Sequence, residues 1–567
     1  HLFLSFFILA SIHSFGQQSS VINRYWMLSG VGKDLILENC FASPVRDDRP
    51  YFGREVSMDS NTYSTVEFGL GMNENQYINI DFNRPIKDGL LEFGFRRLSN
   101  KGWDDNNSFI QGNDLSLVFQ KVVTSRLSIR SQFDLSTENY ELNGGLIDSS
   151  YVFPSSLSGV GLVSSDVNTL EGNLTRNSIA SQVYISYHLY SDSTKEFKLN
   201  TSLFYKREVH RFSDTYSDSP YFGKYLDRPE LDVFSDSLFY NEVKGEVYLA
   251  LSKRNKADSL LNRNVFDYRV NSGIRSSIGE VRNNGDDWSV YRYSAFVTSK
   301  ISLGQLDLDL SGNGVLLGFD KGSYEINAIG NYQIHSDTMR TLNVKVRAVL
   351  SKELPELVFY RYTSQLGLVR ENPDFIRAIS GDIKLSYTSE FSNIEAGASL
   401  RELNDYAIMD KSMTIDRISF LATSFYVKGE FSYKSFEFNN YMAYQMTSSD
   451  YRFSLPEVLN KGSLSYNLPL FKHAITIKPG IEGVFYSDYY AMGFHPNLMT
   501  YYVQADRKFG PYLTSHVFLN ARVQSVDVSL RFENWNYDLF GQEPLVAPNY
   551  PGVPRFFQVR VKWVFKN

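Results

Sequence analysis

From about residue 62 onward the chain alternates apolar and polar positions with a period of two, the spacing at which successive side chains leave opposite faces of an extended strand. Val66, Phe68 and Leu70 alternate with Glu67 and Gly69, and Ile78, Ile80 and Phe82 with Asn79 and Asp81. Leu91, Phe93 and Phe95 are interleaved with Glu92, Gly94 and Arg96, while Leu127, Ile129, Phe133 and Leu135 stand opposite Ser128, Arg130, Gln132 and Asp134. The same texture returns at 183–190, 197–205, 243–251, 266–274, 306–310, 343–350, 394–401, 425–433, 436–446, 512–523 and 526–533, and amphipathic helical spacing is absent. The expected element is the two-faced strand, about twenty times over.

The connections predict how these strands are joined. Brief turns at 121–126, 191–196, 335–339 and 390–393 are separated by long polar stretches at 98–114, 137–181, 206–241, 351–380 and 402–417. Tight turns at one end and long loops at the other are the habit of a membrane barrel, with the short turns periplasmic. Between 469 and 511 the alternation blurs and no strand order can be read. A soluble sandwich can also alternate, so period alone does not choose between the two.

The end of the chain favours the barrel. Phe557, Val559, Val561, Trp563 and Phe565 alternate with Gln558, Arg560, Lys562 and Lys566. Apolar side chains would face lipid, Arg560 and Lys562 a watery interior, and Trp563 and Phe565 the aromatic girdle at the periplasmic interface. An aromatic-ended last strand also resembles the signal read by the outer-membrane assembly machinery, here with Lys566 and Asn567 after the last ring.

Composition agrees with a strand-rich chain: Tyr 38, Phe 42 and Gly 37 against Pro 17. The apolar run at 1–12, ending in Ser14 and Gly16, reads as the hydrophobic region and cleavage site of a secretory signal peptide over residues 1–16, its basic leading region missing. Residues 17–62 form a polar N-terminal segment, a plug or a periplasmic arm, and 63–567 the barrel. No later run of 18 apolar residues offers a membrane helix. Cys40 is the only cysteine, so no internal disulfide and no thiol metal site can form. A net charge of -6 with no basic block argues against nucleic acid. The expectation is an all-β chain: a transmembrane antiparallel up-and-down β-barrel with an even strand count of 16 to 22, because in hydrocarbon only a closed sheet pairs every amide without leaving an edge.

Several stretches resemble the outer-membrane β-barrel porin family of Bacteroidota, a family whose name rests on predicted architecture. They are "NENQYINIDFNRPIKDGLLEFGFRRLSNKGWDDNNSF" (73–109), "ELNGGL" (141–146), "YYVQADRKFGPYLTSHVFLNARVQSVDVSLRFENWN" (501–536) and "YPGVPRFFQVRVKWVF" (550–565). The resemblance covers roughly a quarter of the chain directly and implies an exported outer-membrane barrel, without naming a substrate.

Chemistry-bearing motifs are few. The eight histidines are scattered with no pair at i, i+4, and His188 reads as a hydrogen-bonding group on the inner face. "GNGVLLG" (312–318) joins strands rather than opening a helix, so it fails as a phosphate loop. "WDDNN" (103–107) reads as a solvated outer loop, with cation or lipopolysaccharide bridging as the alternative. No catalytic constellation, cofactor motif or metal cluster stands out, so an enzyme is not expected.

What remains is the inner face. Glu92, Arg96, Arg130, Asp134, Lys345, Arg347, Arg401, Lys428, Arg531, Arg560 and Lys562 take the polar phase of their strands and are the candidate lumen-lining residues. Both signs are mixed, which predicts weak charge selectivity. Two functions compete: a passive outer-membrane channel for small polar solutes, narrowed by inward-folded loops such as 137–181 or 351–380, and a plugged structural or assembly barrel whose outer loops or N-terminal segment bind partner proteins. A TonB-type active transporter is disfavoured, since the 46 residues from 17 to 62 are too few for a folded plug. The expected surroundings are outer-membrane lipid and lipopolysaccharide.

Overall fold

A computed structural model describes residues 62–567, apart from 73, 102–108, 148–166, 168–170, 193, 216–232, 254–265, 337–338, 356–358, 360, 366, 371–373, 449–454, 496, 499, 538–544, 552–554 and 567. Residues 1–16, read above as a signal peptide, Cys40, most of the polar N-terminal segment and the "WDDNN" stretch lie outside the described residues.

Twenty-three strands share one sheet. Leu468–Leu470 continues the line of Val458–Tyr466 along the same neighbour, Ile475–Tyr486. The wall therefore has 22 antiparallel staves. Each pairs with the next in sequence, and the first, Tyr63–Gly71, pairs with the last, Phe556–Lys566, from Tyr63↔Lys566 to Gly71↔Gln558. This seam closes the sheet, so no stave is left with a free edge.

Both termini of the wall and most of the tight connections lie at one end, the two-residue turn 284–285 being an exception at the other. The turns at 87–88, 125–126, 304–305, 390–391, 434–435 and 524–525 hold two residues each. The opposite end carries the long connections, including 142–172, 215–233, 354–375, 487–511 and 534–555. Several staves exceed what a bilayer needs: Lys195–Asp214 has 20 residues, against about 9 to 11 for a spanning strand. The surplus projects at the long-loop end, where Asn173–Ser191 and Phe234–Lys253 also extend into stretches that the sequence marks as loop. The segment 402–417 is a correction of the same kind. Strands Ser392–Met409 and Ile415–Tyr433 run through it and leave only 410–414 as a turn. "GNGVLLG" likewise lies inside the strand Leu306–Gly318 rather than between strands.

Period two sets the two faces. Val66, Phe68, Leu70, Ile274, Ile278 and Phe425 are exposed large apolar side chains on the outward phase, whereas their neighbours in sequence point inward. Where two inner-face rings meet, glycine makes room. Gly273 stands between Tyr248 and Phe296 in register. Their rings lie 5.8 Å apart, and a Cβ on Gly273 would fall 2.3 Å from that of Tyr248.

This orientation has a direct check. Val561→Lys, on the outward phase of the last strand, is expected to destabilise the barrel in lipid vesicles by about 2–4 kcal/mol. Lys562→Val, one position on and facing inward, is expected to change stability far less. Urea unfolding followed by tryptophan fluorescence measures both.

Candidate functional site: the inner wall and outer mouth

All eleven sequence-nominated lining residues stand on the phase opposite the exposed apolar band, but the wall does not treat them alike. Around one arc the inner face is buried. Arg96 donates from Nη2 to Asp114 at 2.6 Å, and Asp114 also accepts from the Ser136 hydroxyl at 2.6 Å. Arg531 bonds both Glu482 and Glu533, the latter from Nε at 2.6 Å. Arg560 pairs with Glu67 across the closing seam and lies 5.0 Å from the centre of the Tyr77 ring. Arg130 donates to Gln132 at 3.4 Å, and Gln132 to Asp134 at 2.9 Å. Glu92 sits in register between Asn83 and Val118, and Lys562 between Glu67 and Asp527.

The sequence reading missed the largest buried network. Arg176 donates to Glu208 Oε1 from Nε at 2.8 Å and from Nη2 at 2.5 Å. Lys206 reaches Glu208 Oε2 at 2.6 Å, His210 lies 2.6 Å from Oε1, and Glu138 is 3.8 Å from Arg176. Buried charges persist only when paired and hydrogen-bonded; here Lys206 and His210 meet Glu208 within one stave, and Arg176 meets Glu208 and Glu138 on the staves to either side of its own. These residues do alternate in sequence, but nothing in one strand reveals the strand it will pair with.

The other arc is open. Arg269, Lys300, Lys345 and Arg347 are exposed on the inward phase of the wall between Phe266 and Glu353. Arg347 has an Asn327 amide oxygen 3.4 Å from its Nε, and Lys300 a carboxylate oxygen of Asp309 at 3.8 Å. Further round, Lys384 meets Glu395 at 2.7 Å, Lys428 meets Glu430 at 2.6 Å, and Arg401 stands in register with Ser380. His188 lies 3.2 Å from Glu196, an ion-pair position as well as a hydrogen-bonding one. Trp563 and Phe565 are exposed on the outer phase near the short-turn end, their rings stacked at 4.4 Å.

The outer mouth is narrowed by loops folded into the barrel. Leu146 and Val167, from the connection 142–172, join Tyr489, Ala491 and Phe509 from the connection 487–511 in a buried cluster. It rests on the inner face of the wall at Ala443, Leu459, Tyr486 and Tyr512. On another part of the wall, Phe494 from the hairpin Gly493–His495/Thr500–Tyr502 packs with Ile110, Tyr140, Leu174, Phe212 and Phe234. The 487–511 connection thus reaches two separate regions of the wall. It is the stretch whose alternation blurs in the sequence, because its aromatic residues are buried by neighbours on all sides rather than on one face.

A second hairpin, Arg361–Ser364 with Gly367–Arg370, is latched to the rim. Asp236 accepts from the Ser364 hydroxyl at 2.5 Å, the Gln365 amide at 3.0 Å and the Asn284 side chain at 2.7 Å. Asn283 accepts from the Thr363 amide. Tyr362 is buried against Met409 and Leu498 and donates its hydroxyl to the Asn497 carbonyl at 3.4 Å. The two hairpins therefore touch each other as well as the wall. Burial pushes the Tyr362 hydroxyl above the usual phenol range. His495, wholly buried, donates from Nε2 to the Asp410 carbonyl at 3.3 Å, and burial pulls its pKa down to about 4. Among the described residues no group of His, Cys, Asp or Glu is arranged to hold a metal.

A family model described as "Putative porin" (Porin_10) matches residues 63–567. No curated protein matches the chain. Among solved structures it is similar to the copper transporter OprC, at 10% identity over 89% of this chain and 80% of that one, with a TM-score of 0.62. The FrpB iron transporter from Neisseria meningitidis is similar at 10% identity over 90% and 82%, with a TM-score of 0.60. The siderophore receptor PirA from Acinetobacter baumannii is similar at 11% identity over 89% and 80%, with a TM-score of 0.59. At such identities the likeness is one of fold.

His495 makes the mouth sensitive to acid. Its folded pKa of about 4 lies below the ordinary histidine value, near 6.5 when unfolded. Docking of the hairpin is therefore at full strength above about pH 6.5 and weakens as pH falls toward about 4, by up to about 3 kcal/mol. Hydrogen exchange corrected for intrinsic rates is expected to show protection of 493–502 falling across that window in the wild type, and a flatter profile in His495→Gln.

Proposed function

The chain belongs to this family of outer-membrane β-barrel porins, and from that premise we propose that it is a channel for passive diffusion of small polar solutes across the outer membrane. The observation that carries the reading is the open arc of inner wall, where Arg269, Lys300, Lys345 and Arg347 are exposed on the face turned away from lipid. Long charged side chains at such positions are stable only if water reaches them. Solutes pass along that arc and leave or enter through the mouth that the two hairpins narrow. Acidic groups such as Asp309, Asp382 and Glu395 are interspersed among the basic ones, so charge selectivity is weak. Residues 1–16 direct export in this reading.

A second reading, a plugged barrel that serves as a structural or assembly subunit, draws support from the other arc. There Glu67, Arg96, Arg176, Glu208, Arg531 and Arg560 are all less than a tenth exposed. Similarity in fold to transporters and receptors at 10–11% identity assigns neither substrate nor partner.

Purified full-length protein in a planar bilayer separates the two. A channel gives steady open currents in the nanosiemens range with little preference between small cations and anions. A silent barrel that co-purifies with stoichiometric partners supports the second reading and removes the first. Asp236→Ala removes the carboxylate that accepts from the Ser364 hydroxyl and the Gln365 amide of the 361–370 hairpin, hydrogen bonds to a charged group worth at most about 1.5–3 kcal/mol each. It is expected to raise conductance or open probability, whereas Asp192→Ala, in a turn at the opposite end, is not.

A further inference from the structure

The outward phase of the wall changes character abruptly toward the long-loop end. On the staves from Gly89–Asn100 to Asn173–Ser191 one cross-strand row, Phe95, Leu115, Leu135 and Ile179, is entirely apolar, and it continues into Arg207, Asn241 and Glu280 on the next three staves. The next row outward is Arg97, Asn113, Thr137 and Asn177, all polar, and it continues through Val209 and Phe239 to Arg282. Two residues thus separate a surface fit for acyl chains from one fit for headgroups.

At the end of this fringe three exposed arginines stand on the outward phase, Arg207 and Arg211 on Lys195–Asp214 and Arg282 on Phe266–Asn283, with the stave Phe234–Lys253 between them. The guanidinium carbons of Arg207 and Arg282 lie 5.1 and 5.4 Å from the centre of the Phe239 ring. Arg211, two positions beyond Val209 on the same face, stands in register with Thr175, whose hydroxyl donates to Asn139 at 3.3 Å. Arg282 is paired with Glu280 at 2.8 Å. Arg207 and Arg211 have no carboxylate within ion-pair distance among the described residues. Clustered like charge at a membrane interface is unfavourable unless an anion answers it. Guanidinium groups held against a ring and flanked by hydroxyl and amide side chains match a phosphate attached to a sugar.

We propose that Arg207, Arg211 and Arg282, gathered about Phe239, bind the phosphate of a phosphorylated glycolipid in the outer leaflet. The proposal rests on the barrel spanning an outer membrane with its long loops outward, and not on whether the lumen conducts, because these side chains face away from it. The apolar row on the neighbouring staves, beneath Asn113, Thr137 and Asn177, holds the acyl chains, and the Asn and Thr row holds the sugar.

The test uses full-length protein in detergent, titrated with bisphosphorylated lipid A, with the same lipid stripped of its phosphates, and with inorganic phosphate, binding being read by native mass spectrometry. The expected result is that removing the phosphates weakens binding at least about tenfold, and that Arg207→Gln/Arg211→Gln/Arg282→Gln loses the same preference. Added salt is expected to weaken the wild type, and Lys345→Gln on the inner wall to leave it unchanged. Equal binding of the two lipids, or a triple variant that still prefers the phosphorylated one, overturns the proposal. Displacement of the lipid by an equal concentration of inorganic phosphate overturns the lipid as the source. Should the triple variant fail to fold, as judged by heat-modifiable gel mobility, Arg211→Gln alone is expected to lose several-fold, and no loss counts against the site. A barrel silent in planar bilayers removes the channel reading and leaves this result standing.

Discussion

An amide group in hydrocarbon has no partner except another amide, and a strand left at the edge of a sheet there exposes one on every second residue. The seam between Tyr63–Gly71 and Phe556–Lys566 is what removes that edge. Closure forces each stave to have one face in lipid and one turned inward, which in turn makes the sequence alternate. It also leaves a central space whose contents are not fixed by the wall. Charge pairing, loop infolding and the headgroup fringe are all ways of furnishing the two surfaces that closure creates.

Inside, the wall is furnished in two manners. Across the arc that holds Arg96, Arg176, Arg531 and Arg560, guanidiniums are buried and bonded to carboxylates on other staves. Such networks contribute little net stability, since desolvation offsets most of their attraction, but breaking one partner is costly. They hold the register of the staves that carry them. Across the arc from Phe266 to Glu353, Arg269, Lys300, Lys345 and Arg347 are open to solvent, and it is along this side that a solute finds water and mobile charge. The mouth above is narrowed by apolar contacts from Leu146, Phe494 and Tyr362, together with the hydrogen bonds that Asp236 accepts.

Much of the wall was legible from the sequence because period two is a property of single strands. The barrel class, the tight-turn end and the inward phase of residues such as Lys345 and Arg531 follow from it. Other features depend on neighbours that one strand cannot name. The segment 402–417, "ELNDYAIMDKSMTIDR" from Glu402 to Arg417, reads as loop because above the membrane polar residues occupy both phases, yet it is mostly strand. Arg176 meets Glu208 and Glu138 only because register brings their staves together. The inward reach of 487–511 was hidden because a segment buried from all sides has no polar phase to mark it. The basic fringe at Arg207, Arg211 and Arg282 became visible only once Phe239 was placed between two of them.

Side-chain orientation is the claim on which everything else stands, and site-directed cysteine labelling in outer-membrane vesicles measures it most directly. With Cys40→Ser removing the single native thiol, cysteines are placed in turn at 344, 345, 346 and 347 on the strand Arg340–Glu353. The expected outcome is that positions 345 and 347 react with a water-soluble maleimide, whereas 344 and 346 resist it and are quenched by brominated lipid. The reverse pattern, or equal reactivity at all four positions, contradicts a closed wall with lipid outside and water within.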